Sequence, residues 1–196
     1  MEKVLLYVIT MDEIVRKESE LKRSLDAATL KKIYEINSEK HATEKLGSSY
    51  LIANFTGEGE IRYGENGKPF KGSVQFNVSH DNGLVVLCSS DKKVGVDVCG
   101  LKRFERQSSH RVFQKEELDQ LKNVSDLSFF WAQKESLIKC EGGSVVSIGR
   151  VPIGDGERIF DGKRYFSRTF TVMDCAVCVT REGGEEFEIQ QIRPLK

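Results

Sequence analysis

The sequence carries no net charge, with 30 basic residues set against 30 acidic ones. That balance gives a nucleic-acid or polyanion binder no footing. There is no apolar run of the ~18 residues that a membrane helix needs. Residues 4–9 form an apolar run only as long as a strand, and no signal-peptide pattern surrounds it. We therefore expect a soluble, cytoplasmic protein with no membrane partner. Cysteine and histidine are few. Five cysteines, odd in number and scattered, argue against a disulfide framework. Three histidines, with those cysteines, do not supply a zinc site at matching spacing. Cys175 and Cys178 have redox-motif spacing but lie in a strand-like run. An offset of three sends two strand side chains to opposite faces, so we expect core packing there. The chain of 196 residues makes one domain or two small ones, with enough length to bury a core.

What is present centres on residues 94–99, Val-Gly-Val-Asp-Val-Cys. Valine alternates with small or polar residues, the period of a strand. Val94, Val96 and Val98 share one face, and Gly95, Asp97 and Cys99 share the other. An aspartate among valines needs a reason, because an uncompensated buried carboxylate is costly. Capping a helix, pairing with a lysine and serving a site are all open reasons. A second stretch, residues 126–141, reads as a helix that starts at Ser125 or Asp126 and stops at Gly142-Gly143. Leu127, Phe130, Trp131 and Ile138 form its apolar stripe. Glu135 continues that stripe and is a functional candidate. The alternative is an i,i+4 pair with Lys139. Lys134 and Lys139 flank Glu135 on the helical wheel, and one acid between two lysines suits a metal ion and phosphates.

The rest reads as an α+β chain. Residues 4–9 form the first strand, and 12–25 a surface helix. Residues 27–37 form a second helix with Leu30, Ile33 and Tyr34 inward. Residues 38–55 form a third, started by Ser38, with the stripe Ala42, Leu46, Tyr50 and Ala53. A glycine-rich connector holds a short strand at 61–63. Residues 76–80 and 84–88 flank an Asp-Asn-Gly turn, a strong hairpin signal. With residues 94–99 they predict three antiparallel strands in succession. A polar passage follows Gly100, through Arg106-Gln107-Ser108-Ser109, then a helical segment around 115–122. Strands are expected at 164–172, 175–180 and 186–192. The boundary between halves falls near Gly100, giving units 1–100 and 101–196. Residues 76–89 and 170–180 look distantly alike, a hint of duplication.

Four motifs occur in order: Gly67-Lys68-Pro69, then Phe76-Asn-Val-Ser79-His80, then Gly95-Val-Asp97-Val, then Trp131-x-x-Lys134-Glu135-Ser-x-x-Lys139. In that order the chain resembles the 4′-phosphopantetheinyl transferases, in particular their long, single-chain, surfactin-synthetase-activating type. The resemblance is strong over roughly residues 60–143 and looser elsewhere. It implies a pseudo-dimeric fold of two similar α+β halves, each with an antiparallel meander, and a site in the cleft between them. It implies an enzyme, a holo-[acyl-carrier-protein] synthase, that moves the arm of coenzyme A to a serine of an acyl or peptidyl carrier protein. Magnesium would bind the diphosphate, and adenosine 3′,5′-bisphosphate would leave. A duplicated chain needs no second subunit, so a monomer is expected.

Residue by residue, Asp97 and Glu135 match the metal-binding acids, and Glu135 also a base for the carrier serine. Lys139, and Lys134 beside it, match lysines near the coenzyme A phosphates. Lys68, with Pro69 after it, Ser79 and His80 match residues that hold the nucleotide end. Glu117 matches a family acid, and Lys31 a phosphate-contacting lysine. Lys102, Arg103, Arg106 and Lys122 lie near the expected carrier-docking region, although a charged exposed face is the plainer reading. Two departures stand out. The pattern after the first acid is usually Asp-x-Glu, and here the second acid is Cys99. A thiol is a poor ligand for magnesium, so either water replaces it or the chain only binds coenzyme A or a carrier. The arginines that the family carries around the Leu46-Gly47 pair are also missing.

Overall fold

The computed structural model describes residues 2–64, 67–104, 112–143 and 145–195. Strand β1 (Glu2–Thr10) leads into α1 (Met11–Arg16). A capping box makes that junction: the Glu13 amide donates to Thr10 Oγ1 at 3.2 Å, and the Thr10 amide donates to Glu13 Oε2 at 2.6 Å. The expected surface helix is two helices, because the backbone leaves helical geometry at Lys17 before α2 (Glu18–Arg23). Next come α3 (Ala27–Tyr34) and α4 (Glu39–Phe55), the latter capped by Ser38 as expected. Tyr34 and Ala53, read as inward-facing, are exposed. Strands β2 (Ile61–Tyr63), β3 (Pro69–Lys71), β4 (Val74–Asp81), β5 (Leu84–Ser90) and β6 (Val94–Gly100) follow. The second part holds α5 (Lys115–Leu118), α6 (Asp126–Glu141), β7 (Gly156–Phe160), β8 (Lys163–Val172), β9 (Cys175–Glu182) and β10 (Phe187–Ile192).

Two mixed or antiparallel sheets organise these strands. One has the order β10-β1-β5-β4-β3-β2, and the other β6-β9-β8-β7. The expected run of three consecutive antiparallel strands is corrected here. β4 and β5 form the hairpin, but β6 leaves them and pairs with β9. In exchange, β10 crosses back to lie parallel to β1. Neither sheet is built from one side of Gly100 alone.

Side-chain alternation produces the layers. Val4, Leu6 and Val8 of β1 face the second sheet, whereas Tyr7 and Ile9 face α1–α4. Leu84, Val86 and Cys88 of β5 do the same against Val85 and Leu87, so β5 is buried on both faces. Val94, Val96 and Val98 complete the core between the sheets. The other face of β6 and β9 packs on α6. The architecture is therefore four layers: helices, sheet, sheet, helix. Cys175 lies in the core between the sheets and Cys178 on the α6 side, the opposite faces their spacing predicts.

Strand β6 is an edge strand whose amides would otherwise lack partners. Side chains of β4 supply them. The amides of Val96, Val98 and Gly100 donate to Asn77 Oδ1 at 2.9 Å, Ser79 Oγ at 3.2 Å and Asp81 Oδ2 at 2.9 Å. Three side chains at a spacing of two thus stand in for a strand and join the two sheets.

Helix α6 approaches β6 closely at Gly95. A Cβ there would lie 2.0 Å from the Ser136 carbonyl oxygen and 2.4 Å from the Cys140 nitrogen, both backbone atoms. Gly47 is also tight, but there a Cβ meets the end of the Ile14 side chain at 2.4 Å. Gly95→Ala should therefore cost about 3 kcal/mol or more, and Gly47→Ala about 1 kcal/mol or less, since alanine also favours the helix. Urea denaturation measures both, and equal costs would contradict the close approach of α6.

Candidate active site

Helix α6 spans the residues its sequence predicts and ends at Gly142 in the left-handed region, φ 81°. Its burial is broader than one stripe. Ser128, Gln133, Lys134, Glu135 and Ser136 are buried with the apolar residues, while Phe130 and Trp131 are only partly covered. Polar partners make this possible. Ser128 Oγ donates to the Gly100 carbonyl at 2.8 Å, and Ser136 Oγ lies 2.7 Å from Thr180 Oγ1.

Asp97, Ser79 and Lys139 come together where β6, β4 and α6 meet. Lys139 Nζ is 2.5 Å from Asp97 Oδ1 and donates to Ser79 Oγ at 3.1 Å. Ser79 Oγ donates to Asp97 Oδ1 at 3.0 Å. Asp97 is 4% exposed, and its other oxygen, Oδ2, is buried without a hydrogen-bond partner among the described residues. Burial pushes the Asp97 carboxyl up, with Lys139 and Ser79 acting against it. Glu135, one turn before Lys139, has no hydrogen-bond or ion-pair partner among the described residues. Burial pushes its carboxyl up too, Lys139 opposes this, and the Asp97 charge adds to it. Arg103 lowers both carboxyls. Its guanidinium is held 3.3 Å from Asp81 Oδ2 and lies 5.8 Å from the centroid of the Trp131 ring.

The other candidates lie apart from this cluster. Lys68 is buried, and its ammonium donates to the carbonyls of Val94 at 2.6 Å and Lys139 at 2.7 Å. It ties the start of β6 to α6. Burial lowers its pKa. Lys134 is fully buried, 2.7 Å from Glu117 Oε1 and 2.8 Å from the Val151 carbonyl. The sequence set it beside Glu135 on the wheel, but it points to the far side of the helix from Asp97. His80 follows Ser79 in β4 and so takes the other face, toward α4, where its Nδ1 is 3.4 Å from buried Glu44. Pro69 opens β3, partly buried. Lys31 is 78% exposed on α3 and pairs with Glu35 at 4.0 Å. Arg106 lies outside the described residues. Lys102 and Arg103 line an open pocket of about 460 Å³ with Asp81, Asn82 and Asp174.

Cys99 shares the Asp97 face of β6, as read. It packs with Ala132, Ala176 and Cys178 against Phe104, Phe129 and Trp131. Burial, with a smaller contribution from the Asp97 charge, pushes its thiol up to about 12. Among the described residues no group of three or more histidine, cysteine, aspartate and glutamate side chains is arranged to hold a metal ion. None of their helices is long and apolar enough to cross a membrane. Sequence reading missed Asn77 and Asp81 as partners of β6. The polar residues at 77, 79 and 81 were the available signal.

No known family model matches the chain. A curated protein of Sulfurovum sp. (strain NBC37-1) named holo-[acyl-carrier-protein] synthase is 27% identical over 108 residues. The match spans 47% of this chain and 88% of that protein.

Glu135 is harder to ionise folded than unfolded, so its stability contribution is present at low pH and lost as pH rises through its raised value. Glu135→Gln should raise Tm by roughly 2–4 °C at pH 7 and leave it unchanged at acid pH, where both states are protonated. An equal shift at both pH values would contradict the burial argument. Placing an acid there with Cys99→Glu should destabilise the fold by about 3 kcal/mol or more, because a larger, charged side chain enters a buried cluster of apolar residues. Unchanged stability in urea would mean that the cluster has room for it.

Proposed function

We propose that this protein transfers the 4′-phosphopantetheine arm of coenzyme A to a serine of an acyl or peptidyl carrier protein, releasing adenosine 3′,5′-bisphosphate. One observation carries the reading. Of two buried carboxylates, Asp97 pairs with the Lys139 ammonium while Glu135 feels only its charge, and among the described residues Asp97 Oδ2 has no hydrogen-bond partner. Negative charge held out of water in this way calls for a further cation. The similarity to a protein named holo-[acyl-carrier-protein] synthase supports the same chemistry.

Asp97 and Glu135 would hold magnesium, with phosphate and water completing its shell, and the ion would neutralise the diphosphate of coenzyme A. Two carboxylates suffice for this, since magnesium usually takes only one or two. Lys139, 28% exposed along its side chain, adds positive charge at the same place. Glu135 takes the proton of the carrier serine, directly or through water. The hydroxyl oxygen then attacks the phosphorus that carries the pantetheine arm, and the bisphosphate leaves. Positioning and charge neutralisation supply most of the catalysis in such a transfer.

On this reading the chain is the long, surfactin-synthetase-activating type, a cytoplasmic monomer with pseudo-dimeric halves at 1–100 and 101–196. A match of 88% of the relative to less than half of this chain fits a chain of two such units. The β4–β5 and β8–β9 hairpins would be their equivalent parts. A second reading, a binder of coenzyme A or a carrier without turnover, is favoured by Cys99 lying in an apolar cluster where a third acid is usual.

Transfer of a fluorescent coenzyme A analogue to an apo carrier protein, with and without magnesium, separates the two. Magnesium-dependent labelling is expected, falling at acid pH as the metal-holding carboxylates take up protons. Asp97→Asn and Glu135→Gln should each lower it about 100-fold or more. Coenzyme A binding without labelling would favour the binder, and full activity in Glu135→Gln would remove Glu135 from its role.

A further inference from the structure

We infer that Ser79 is a positioning residue for Asp97: its hydroxyl holds one carboxylate oxygen and leaves the other free for a divalent cation. This rests on the reading that Asp97 and Glu135 bind such a cation. The resemblance assigns Ser79 to the nucleotide end of coenzyme A, but its surroundings give it different work.

A serine hydroxyl has one proton to donate and two lone pairs to accept with. Here all three are in use. The proton goes to Asp97 Oδ1 at 3.0 Å. The lone pairs take the Val98 amide at 3.2 Å and the Lys139 ammonium at 3.1 Å. Nothing remains for a phosphate oxygen, and Ser79 is only 6% exposed. The Val98 amide follows Asp97 in the chain. One hydroxyl therefore holds both the carboxylate and the peptide group next to it.

The effect on Asp97 is asymmetric. Oδ1 receives Ser79 and Lys139, whereas Oδ2 is buried and receives nothing from the described residues. A carboxylate engaged on one oxygen and bare on the other is prepared for ligation through a single atom. Partners behind a ligand commonly fix its orientation and set its affinity for metal. The ladder reinforces this, because Asn77 and Asp81 hold β6 on either side of Ser79. His80 takes no part, since it faces Glu44 on the other side of β4.

The test measures manganese or magnesium binding to the full chain by isothermal titration calorimetry without coenzyme A. The KM for coenzyme A is measured alongside it in the transfer assay. Ser79→Ala should weaken cation binding about tenfold, within the range for partners behind metal ligands, and leave that KM nearly unchanged once magnesium is saturating. Ser79→Thr keeps the hydroxyl on a side chain suited to a strand and should bind the cation like the wild type. If the Val98 amide, left without its acceptor, unfolds the alanine variant, Ser79→Cys preserves the shape with only a weak sulfur partner and should show the same loss. A raised KM for coenzyme A with unchanged cation affinity overturns the inference and returns Ser79 to the nucleotide. Wild-type protein that transfers the arm but binds no cation by itself also overturns it, leaving the transferase reading intact. Wild-type protein that does neither overturns both.

Discussion

Much of this structure depends on three side chains that do the work of a strand. Asn77, Ser79 and Asp81 accept from three alternate amides of β6 and so join two sheets that share no backbone ladder. An edge amide left bare inside a protein costs about 1–3 kcal/mol. The ladder removes that cost at three positions. It also fixes β6 relative to β4, which decides where Asp97 sits. Asp81 extends the connection by holding Arg103, so the same ladder reaches a cation that acts on both site carboxylates.

Helix α6 completes the arrangement from the other side. It can bury polar residues because each meets a partner. Lys134 has Glu117 and a carbonyl, Ser136 has Thr180, and Lys68 reaches in to cap its Lys139 carbonyl. Among the described residues Glu135 is the exception. A carboxyl that is buried and unpartnered is a cost to the fold, and such costs gather at functional sites. The close passage of α6 over Gly95 belongs to the same pattern. A larger residue there would push the helix away and separate Glu135 and Lys139 from Asp97.

The lysines divide into two kinds that the sequence does not distinguish. Lys68 and Lys134 are internal fasteners with their donors directed at carbonyls or a buried acid. Lys139 keeps a partly exposed side chain beside Asp97. Histidine follows the same logic. Ser79 and His80 are neighbours in the chain but serve opposite faces of β4, because a strand turns each successive side chain to the other side.

The sequence by itself determined what is local. The span and stop of α6, the Ser38 cap, the Asp-Asn-Gly hairpin, the alternation that puts Asp97 opposite three valines and the opposed faces of Cys175 and Cys178 all follow from periodicity and turn chemistry within a few residues. Tertiary structure decided which elements meet. It moved β6 from the hairpin to β9, sent β10 back to β1, directed Lys134 to Glu117 rather than the site, and placed Cys99 in an aromatic cluster although it shares a face with Asp97. The reason is physical. Side-chain direction is set by the backbone next to it, whereas burial, ion pairing and pKa are set by groups brought in from distant parts of the chain, and nothing in the local pattern names them.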